Sequence, residues 1–226
     1  MNQIFKSNTV LVLDLDDTLY DEIDYVFSGI QHISELIKKT TGICVINELT
    51  AYRKNNIHSD FLHYACECAG LPIAAKDSLL WSYRLHEPNI KLRSEIFNWL
   101  SICKNEYHAL AILTDGRAIT QRLKLKALGL LDLPLYISEE WGAEKPNKDR
   151  FLAIQERWGK KNYIYIGDNL NKDFITPNEL NWTSIGLKRK DLHIHNQTIK
   201  IPLNIYSPKY WIEDLLDLDS VLNFSN

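Results

Sequence analysis

A short apolar run that stops abruptly in acids narrows the folds open to this chain more than any other stretch. Residues 10–13 (Val-Leu-Val-Leu) have the two-sided apolar, β-branched character of a strand covered on both faces, which parallel sheets require. Asp14, Asp16 and Asp17 follow at once, with Thr18 behind them. In open α/β sheets ligands gather at the C-terminal strand ends, and carboxylates crowded there repel one another unless a cation neutralises them. The cluster therefore reads as a divalent-metal site. Carboxylate oxygens suit Mg²⁺, which takes one or two protein carboxylates and completes its shell with water and substrate phosphate. For an isolated Asp-x-Asp-x-Thr the plainer alternative is a polar turn that caps the next helix.

The strand pattern then disappears for about seventy residues, a length that holds a small helical insert. Ile23, Val26, Phe27, Ile30, Ile33, Leu36 and Ile37 recur at helical spacing, with acids in the first turn, Lys38 and Lys39 in the last, and Gly42 as a stop. Further helices are predicted over 46–54, 60–69 and 77–86. Strand and helix alternate again afterwards. A helix over 94–104, with Ser94 as candidate N-cap, leads to a strand at 108–113. A helix at 118–128, a strand at 135–138, a loop at 139–146 and a helix at 147–158 follow. Strands at 163–166 and 183–187 come next, then an edge strand at 200–206 and a closing helix at 211–222. Such alternation predicts a three-layer, Rossmann-like α/β fold: a parallel sheet with helices on both faces and an all-helical block inserted after the first strand.

With 226 residues and a formal net charge of -3, the chain can bury one sizeable core and makes no case for nucleic acid as a partner. Residues 1–9 carry one Lys and no long apolar core, so neither a secretory signal nor a membrane span is expected, and the expected location is cytoplasmic. Cys44, Cys66, Cys68 and Cys103 lack zinc-type spacing and read as buried or partly buried thiols. His193 and His195 read as solvent-exposed loop imidazoles.

A parallel sheet puts every C-terminal strand end on one edge, so Asp14, Asp16, Thr114 and Asp168 should converge, with Lys145 joining from a loop. This ordered set resembles the haloacid dehalogenase-like superfamily, and specifically its phosphatases. Asp14-Leu15-Asp16-Asp17-Thr18 is similar to the first motif, Leu113-Thr114-Asp115-Gly116 to the second and Lys145-Pro146 to the third. The fourth is matched by Gly167-Asp168-Asn169-Leu170-Asn171-Lys172-Asp173. The resemblance covers residues 8–187 and implies a catalytic core at 1–20 and 89–226 under a mobile helical cap at 21–88.

It also implies roles. Asp14 would be the nucleophile that forms an aspartyl-phosphate. Asp16 would be the general acid/base, and its presence favours phosphomonoester hydrolysis over cleavage of carbon–halogen bonds. Thr114, the backbone N–H groups of Asp115 and Gly116, and Lys145 would hold phosphate. Asp14, Asp168 and the backbone carbonyl of Asp16 would bind Mg²⁺, with Asp173 supporting through water or by orienting Lys145. Asp17 and Thr18 would shape the turn, and Tyr20, Arg53, Tyr83 and Arg84 are candidates for substrate contact. The expected enzyme is a Mg²⁺-dependent phosphatase of a small phosphorylated metabolite, monomeric or homodimeric, with no nucleic-acid or membrane partner. A phosphomutase or other phosphotransferase on the same core is the enzymatic alternative. A receiver-like phospho-accepting module is the non-enzymatic one.

Overall fold

The computed structural model describes residues 5–56, 59–188 and 206–222. Six strands, β1 (Thr9–Leu13), β2 (Ala109–Thr114), β3 (Leu135–Ile137), β4 (Asn162–Gly167), β5 (Thr183–Leu187) and β6 (Tyr210–Ile212), form one parallel sheet in the order β3-β2-β1-β4-β5-β6. The acid-bearing strand β1 is central: Val10 lies opposite Ala109 on one side and Tyr163 on the other. Its five residues are all buried because alternate side chains enter two different cores. Leu11 and Leu13 pack with Ile96, Leu100 and Ile112 on one face, whereas Val10 and Val12 meet Phe151, Ile154 and Trp182 on the other. Each such side chain contributes about 1.5–3 kcal/mol through burial.

Between β1 and β2 lie α1 (Glu22–Thr41), α2 (Ile46–Asn55), α3 (Phe61–Cys68), α4 (Lys76–Leu85) and α5 (Ser94–Glu106). In α1 the buried Val26, Ile30, Ile33 and Ile37 mark one face, Glu22 and Asp24 favour its N-terminus, and Gly42 ends it in the left-handed region at φ 79°. The first four helices share an apolar centre of their own, with Ile33, Leu49, Phe61, Ala65 and Leu79. After β2 come α6 (Ala118–Ala127), α7 (Ser138–Trp141), α8 (Asp149–Trp158), α9 (Ile175–Glu179) and α10 (Leu218–Val221). The helical block meets the sheet layer where the Thr120 hydroxyl of α6 donates to the Arg84 carbonyl of α4 at 3.0 Å. Among the described residues no helix is long and apolar enough to cross a membrane.

Several local expectations are corrected. Ser94 is the first residue of α5, not its cap; Arg93 holds the cap position without a side-chain bond. The third strand stops at Ile137, and part of the expected loop is the single turn α7, closed by Gly142 at φ 71°. The expected helix over 211–222 is mostly something else. Trp211 lies in β6, where aromatic and β-branched neighbours favour extended backbone. Asp214 then caps a 3₁₀ turn reciprocally with Asp217, and only Leu218–Val221 is α-helical. The expected edge strand at 200–206 lies outside the described residues except for Tyr206, which is not in a strand, and His193 and His195 also lie outside them. All four cysteines are free. Cys66 and Cys103 are buried and Cys68 is half-buried, but Cys44 is exposed just beyond the end of α1.

Candidate active site

The backbone leaves β1 still bonded to its neighbour, Asp14 N–H donating to the Ile166 carbonyl at 2.9 Å, and then turns sharply. Asp17 takes φ 51°, a conformation open to a short polar side chain, and its Oδ1 accepts the Glu22 N–H at 2.8 Å at the start of α1. This is the turn-shaping part expected of it.

Asp14, Asp16, Thr114, Lys145 and Asp168 line one pocket of about 100 Å³, together with Glu22, Asp115, Asn169 and Lys172. The Lys145 ammonium is its hub. It lies 2.8 Å from Asp14 Oδ1, 2.7 Å from Asp173 Oδ1 and 3.0 Å from the Tyr165 hydroxyl, with its side chain 1% exposed. Burial alone would lower the Lys145 pKa, but the Asp14 and Asp173 charges outweigh it and hold the ammonium well above its usual range. Burial pushes the Asp14 carboxyl up to about 7, against the pull of Lys145. Asp173 is fixed from its other side: the Asn169 N–H donates to Oδ2 at 2.8 Å and Tyr165 to Oδ1 at 3.2 Å. It precedes α9 rather than starting it, and its contact with Lys145 is direct.

The Asp16 carboxylate is held by side chains from α6 and by Tyr20. Oδ1 accepts from Lys124 at 2.8 Å and from the Tyr20 hydroxyl, and Oδ2 accepts from Gln121 at 2.9 Å. Burial raises the Asp16 pKa, but Lys124 chiefly, with Tyr20 and Gln121, outweighs it and leaves the carboxyl below the usual range. With the Asp16 side chain engaged at α6, the group expected to reach a cation from this residue is its backbone carbonyl. The side-chain oxygens that do converge belong to Asp14, Asp168 and Asp173, one from each lying within 4.8 Å of the others. Burial, then the Asp173 and Asp14 charges, push Asp168 well above the usual carboxylate range. Buried carboxylates gathered in this way form an oxygen donor set suited to a hard divalent cation.

The loop after β2 is held from below. Arg150, fully buried on α8, donates to the Thr114 carbonyl at 2.8 Å and to Asp115 Oδ1 at 2.6 Å. Lys172 reaches Asp115 Oδ2 at 2.9 Å and the Lys145 N–H reaches Oδ1 at 3.1 Å. Burial raises the Asp115 pKa, but Lys145, Lys172 and Arg150 outweigh it and keep the carboxyl low. The Thr114 hydroxyl accepts from Gln121 at 2.7 Å. The Gly116 N–H donates to Ser138 Oγ at 2.9 Å. Of the suggested substrate contacts, Tyr20 bonds Asp16 and Tyr83 packs edge-on to Tyr25 and Phe61. Arg53 is buried within the helical block, and Arg84 stacks on Trp81.

Sequence reasoning missed Gln121, Lys124, Arg150 and Tyr165. Three were detectable as polar groups at positions the pattern buries: Gln121 and Lys124 one turn apart beside Leu125, and Tyr165 between Ile164 and Ile166. Arg150 gave no such signal, because an Arg in the first turn of a helix is usually solvated.

Fold and site together define an α/β protein that gathers carboxylates and lysines at the C-terminal ends of its central strands. The chain belongs to the haloacid dehalogenase-like hydrolases, whose family profile matches residues 11–187. Curated relatives of the chain are named as phosphatases. One is the glyceraldehyde 3-phosphate phosphatase of Methanocaldococcus jannaschii, 25% identical over 198 residues that cover 80% of this chain and 87% of that protein. Another is the protein of the same name from Methanopyrus kandleri, 36% identical over 84 residues, 35% of this chain and 36% of that one. Among solved structures, the magnesium-bound HAD-hydrolase YfnB from Bacillus subtilis superposes with a TM-score of 0.65 at 22% identity, covering 99% of this chain and 100% of its own.

Proposed function

We propose that this protein is a Mg²⁺-dependent phosphatase acting on a small phosphomonoester through an aspartyl-phosphate on Asp14. The observation that carries this reading is the buried contact of Asp14 with Lys145 in a pocket that also holds Asp168. A carboxylate attacks a phosphate dianion only where positive charge offsets both, and here Lys145 supplies part of it beside the nucleophile. Asp14, Asp168 and the Asp16 carbonyl would hold Mg²⁺, with Asp173 beside them; the ion would neutralise nucleophile and phosphoryl oxygens together.

In the first step an Asp14 oxygen bonds to phosphorus and the ester oxygen leaves with its electron pair, taking a proton from Asp16; because Lys124 favours the ionised form of Asp16, Asp16 must first draw that proton from water as substrate binds. In the second, water loses a proton to Asp16 as it attacks the aspartyl-phosphate, which releases inorganic phosphate and restores Asp14. Thr114 and Lys145 hold phosphoryl oxygens throughout. Residues 21–88 would act as a cap over the core at 1–20 and 89–226, excluding bulk water when seated. The relatives' names make a three-carbon sugar phosphate the first substrate to assay, and the cytoplasm the expected location of such a metabolite.

Asp14→Asn tests the reading. With Mg²⁺ present it should fold normally and lose phosphate release by about 1,000-fold or more. Residual turnover within tenfold of wild type would remove Asp14 as nucleophile. Formation of an isomeric phosphate in place of inorganic phosphate would convert the reading to a mutase.

A further inference from the structure

Helix α6 brings two polar side chains onto its buried face. Gln121 and Lys124 stand one turn apart and are 2% and 3% exposed. Both end at the same carboxylate, with Lys124 Nζ 2.8 Å from Asp16 Oδ1 and Gln121 Nε2 2.9 Å from Oδ2. On its other side the Lys124 ammonium lies 4.2 Å from the centre of the Tyr25 ring, on α1. The position neighbours fully buried Leu125, where an apolar side chain would fill the space without desolvating a charge. A lysine there needs a reason beyond packing.

Asp16 supplies one. It sits on the turn after β1 and lines the pocket; within that turn the Tyr20 hydroxyl holds one carboxylate oxygen, Oδ1, while Oδ2 is reached from α6. A group that transfers protons must be held to within a fraction of an ångström, because about 1 Å of misplacement costs on the order of 100-fold. An ammonium can contact a carboxylate and a ring face at once.

We propose that Lys124 is a positioning residue: seated between Asp16 and the Tyr25 ring, it fixes the Asp16 carboxylate beside the phosphoryl site and ties that placement to the seating of α1. This rests on the acid/base role given to Asp16 above. Gln121 assists by joining Asp16 to Thr114, whose hydroxyl accepts from the same Nε2 at 2.7 Å. The placement of the acid/base thus depends on α6 and α1 together.

The test is rapid-quench kinetics with p-nitrophenyl phosphate and Mg²⁺. The phenolate leaves without a proton, so formation of the phosphoenzyme does not call on Asp16, whereas its hydrolysis does. Lys124→Met should release a burst of about one p-nitrophenol per enzyme and then turn over about 10–100-fold more slowly than wild type, with KM little changed. Lys124→Arg should recover part of the slow phase. Asp16→Asn, run alongside, should give the same burst and a slower second phase. A merely structural role would slow both phases together, and that result, or wild-type kinetics, overturns the proposal. A burst in Asp16→Asn with wild-type behaviour in Lys124→Met sinks Lys124 alone, whereas no burst in Asp16→Asn sinks the Asp16 reading and this proposal with it. Tyr25→Leu leaves the Lys124–Asp16 contact intact and guards against misfolding of the lysine variants. It should slow the second phase several-fold; an unchanged second phase refutes the tie to α1.

Discussion

Arg150→Met should unfold this protein more readily than any surface change, and the size of the effect follows from what the guanidinium holds. The side chain is fully buried, with NH1 bonded to the Thr114 carbonyl at 2.8 Å and the Tyr136 carbonyl at 3.3 Å, and NH2 to Asp115 Oδ1 at 2.6 Å. It therefore ties the ends of β2 and β3 to α8. Methionine keeps most of the stem and removes every donor. Hydrogen bonds to a charged group contribute about 1.5–3 kcal/mol each, and breaking a buried ion pair costs about 3–5 kcal/mol. Asp115 retains Lys172 at 2.9 Å and the Lys145 N–H at 3.1 Å, which puts the expected loss near the lower bound, about 3 kcal/mol. At about 2–4 °C per kcal/mol for a chain of this size, Tm should fall by about 6–12 °C. Urea unfolding should show the same loss as a shift of midpoint at constant slope. Arg150→Lys should recover less than half, since one ammonium cannot span a strand-end carbonyl and the Asp115 carboxylate in the same geometry. A variant within about 0.5 kcal/mol of wild type would refute the reasoning, because ordinary surface substitutions fall in that range.

Gly167→Ala should disturb the site from beneath: a Cβ there would lie 2.8 Å from Asp173 Cγ and 3.1 Å from a Tyr165 ring carbon, forcing Asp173 off Lys145. We expect a loss of about 1–3 kcal/mol and a weaker apparent Mg²⁺ affinity for activity, read by thermal melting and by Mg²⁺ titration of phosphate release. His86 should make the helical block acid-sensitive. Burial, chiefly, keeps its pKa below the usual 6.5, while its ring nitrogens meet the Tyr83 carbonyl at 2.6 Å and Ser28 Oγ at 3.1 Å. Its stabilising contribution is present above the unfolded-state value and is lost as pH falls through that value toward the folded one, because the unfolded chain takes up the proton first. The stability difference between wild type and His86→Gln should therefore shrink below about pH 6.5, and a difference independent of pH would contradict this. Chelation should abolish phosphate release, and restored Mg²⁺ should return it; full activity in excess chelator would refute a metal requirement.

The sequence made the architecture legible where burial and local pattern agree. Residues 10–13 read as a strand covered on both faces, because each face of β1 needs its own apolar set, and the strand–helix alternation predicted where along the chain the strands through β5 lie, not their order in the sheet. The last segment was illegible for a physical reason. In residues 210–222 the apolar spacing fits a helix, but the Asp214–Asp217 reciprocal cap starts a new turn and leaves Trp211 extended on β5. At the site, the acids announced themselves because charge at a strand end is costly. Lys145 was legible beside them from its place in the motif order; the further partners were not. Lys124, Arg150 and Tyr165 come from other elements, and their partners lie 108, 35 and 8 residues away in the chain. Such pairings depend on how α6 and α8 lie on the sheet, which periodicity does not encode.

The central place of β1 also has a cost during synthesis. Its five residues leave the ribosome long before either neighbour: Val10 pairs with Ala109 and with Tyr163, so the strand waits for roughly 150 further residues to be made. At about 5–20 residues per second β2 follows after on the order of 5–20 s and β4 after on the order of 10–30 s, and until β2 is made the apolar ribbon has no native strand partner. The first four helices can settle around their own apolar centre in that interval, because their contacts are local. Slow translation or loss of chaperone protection in this window should therefore favour aggregation of nascent chains through β1, with the helical block already formed.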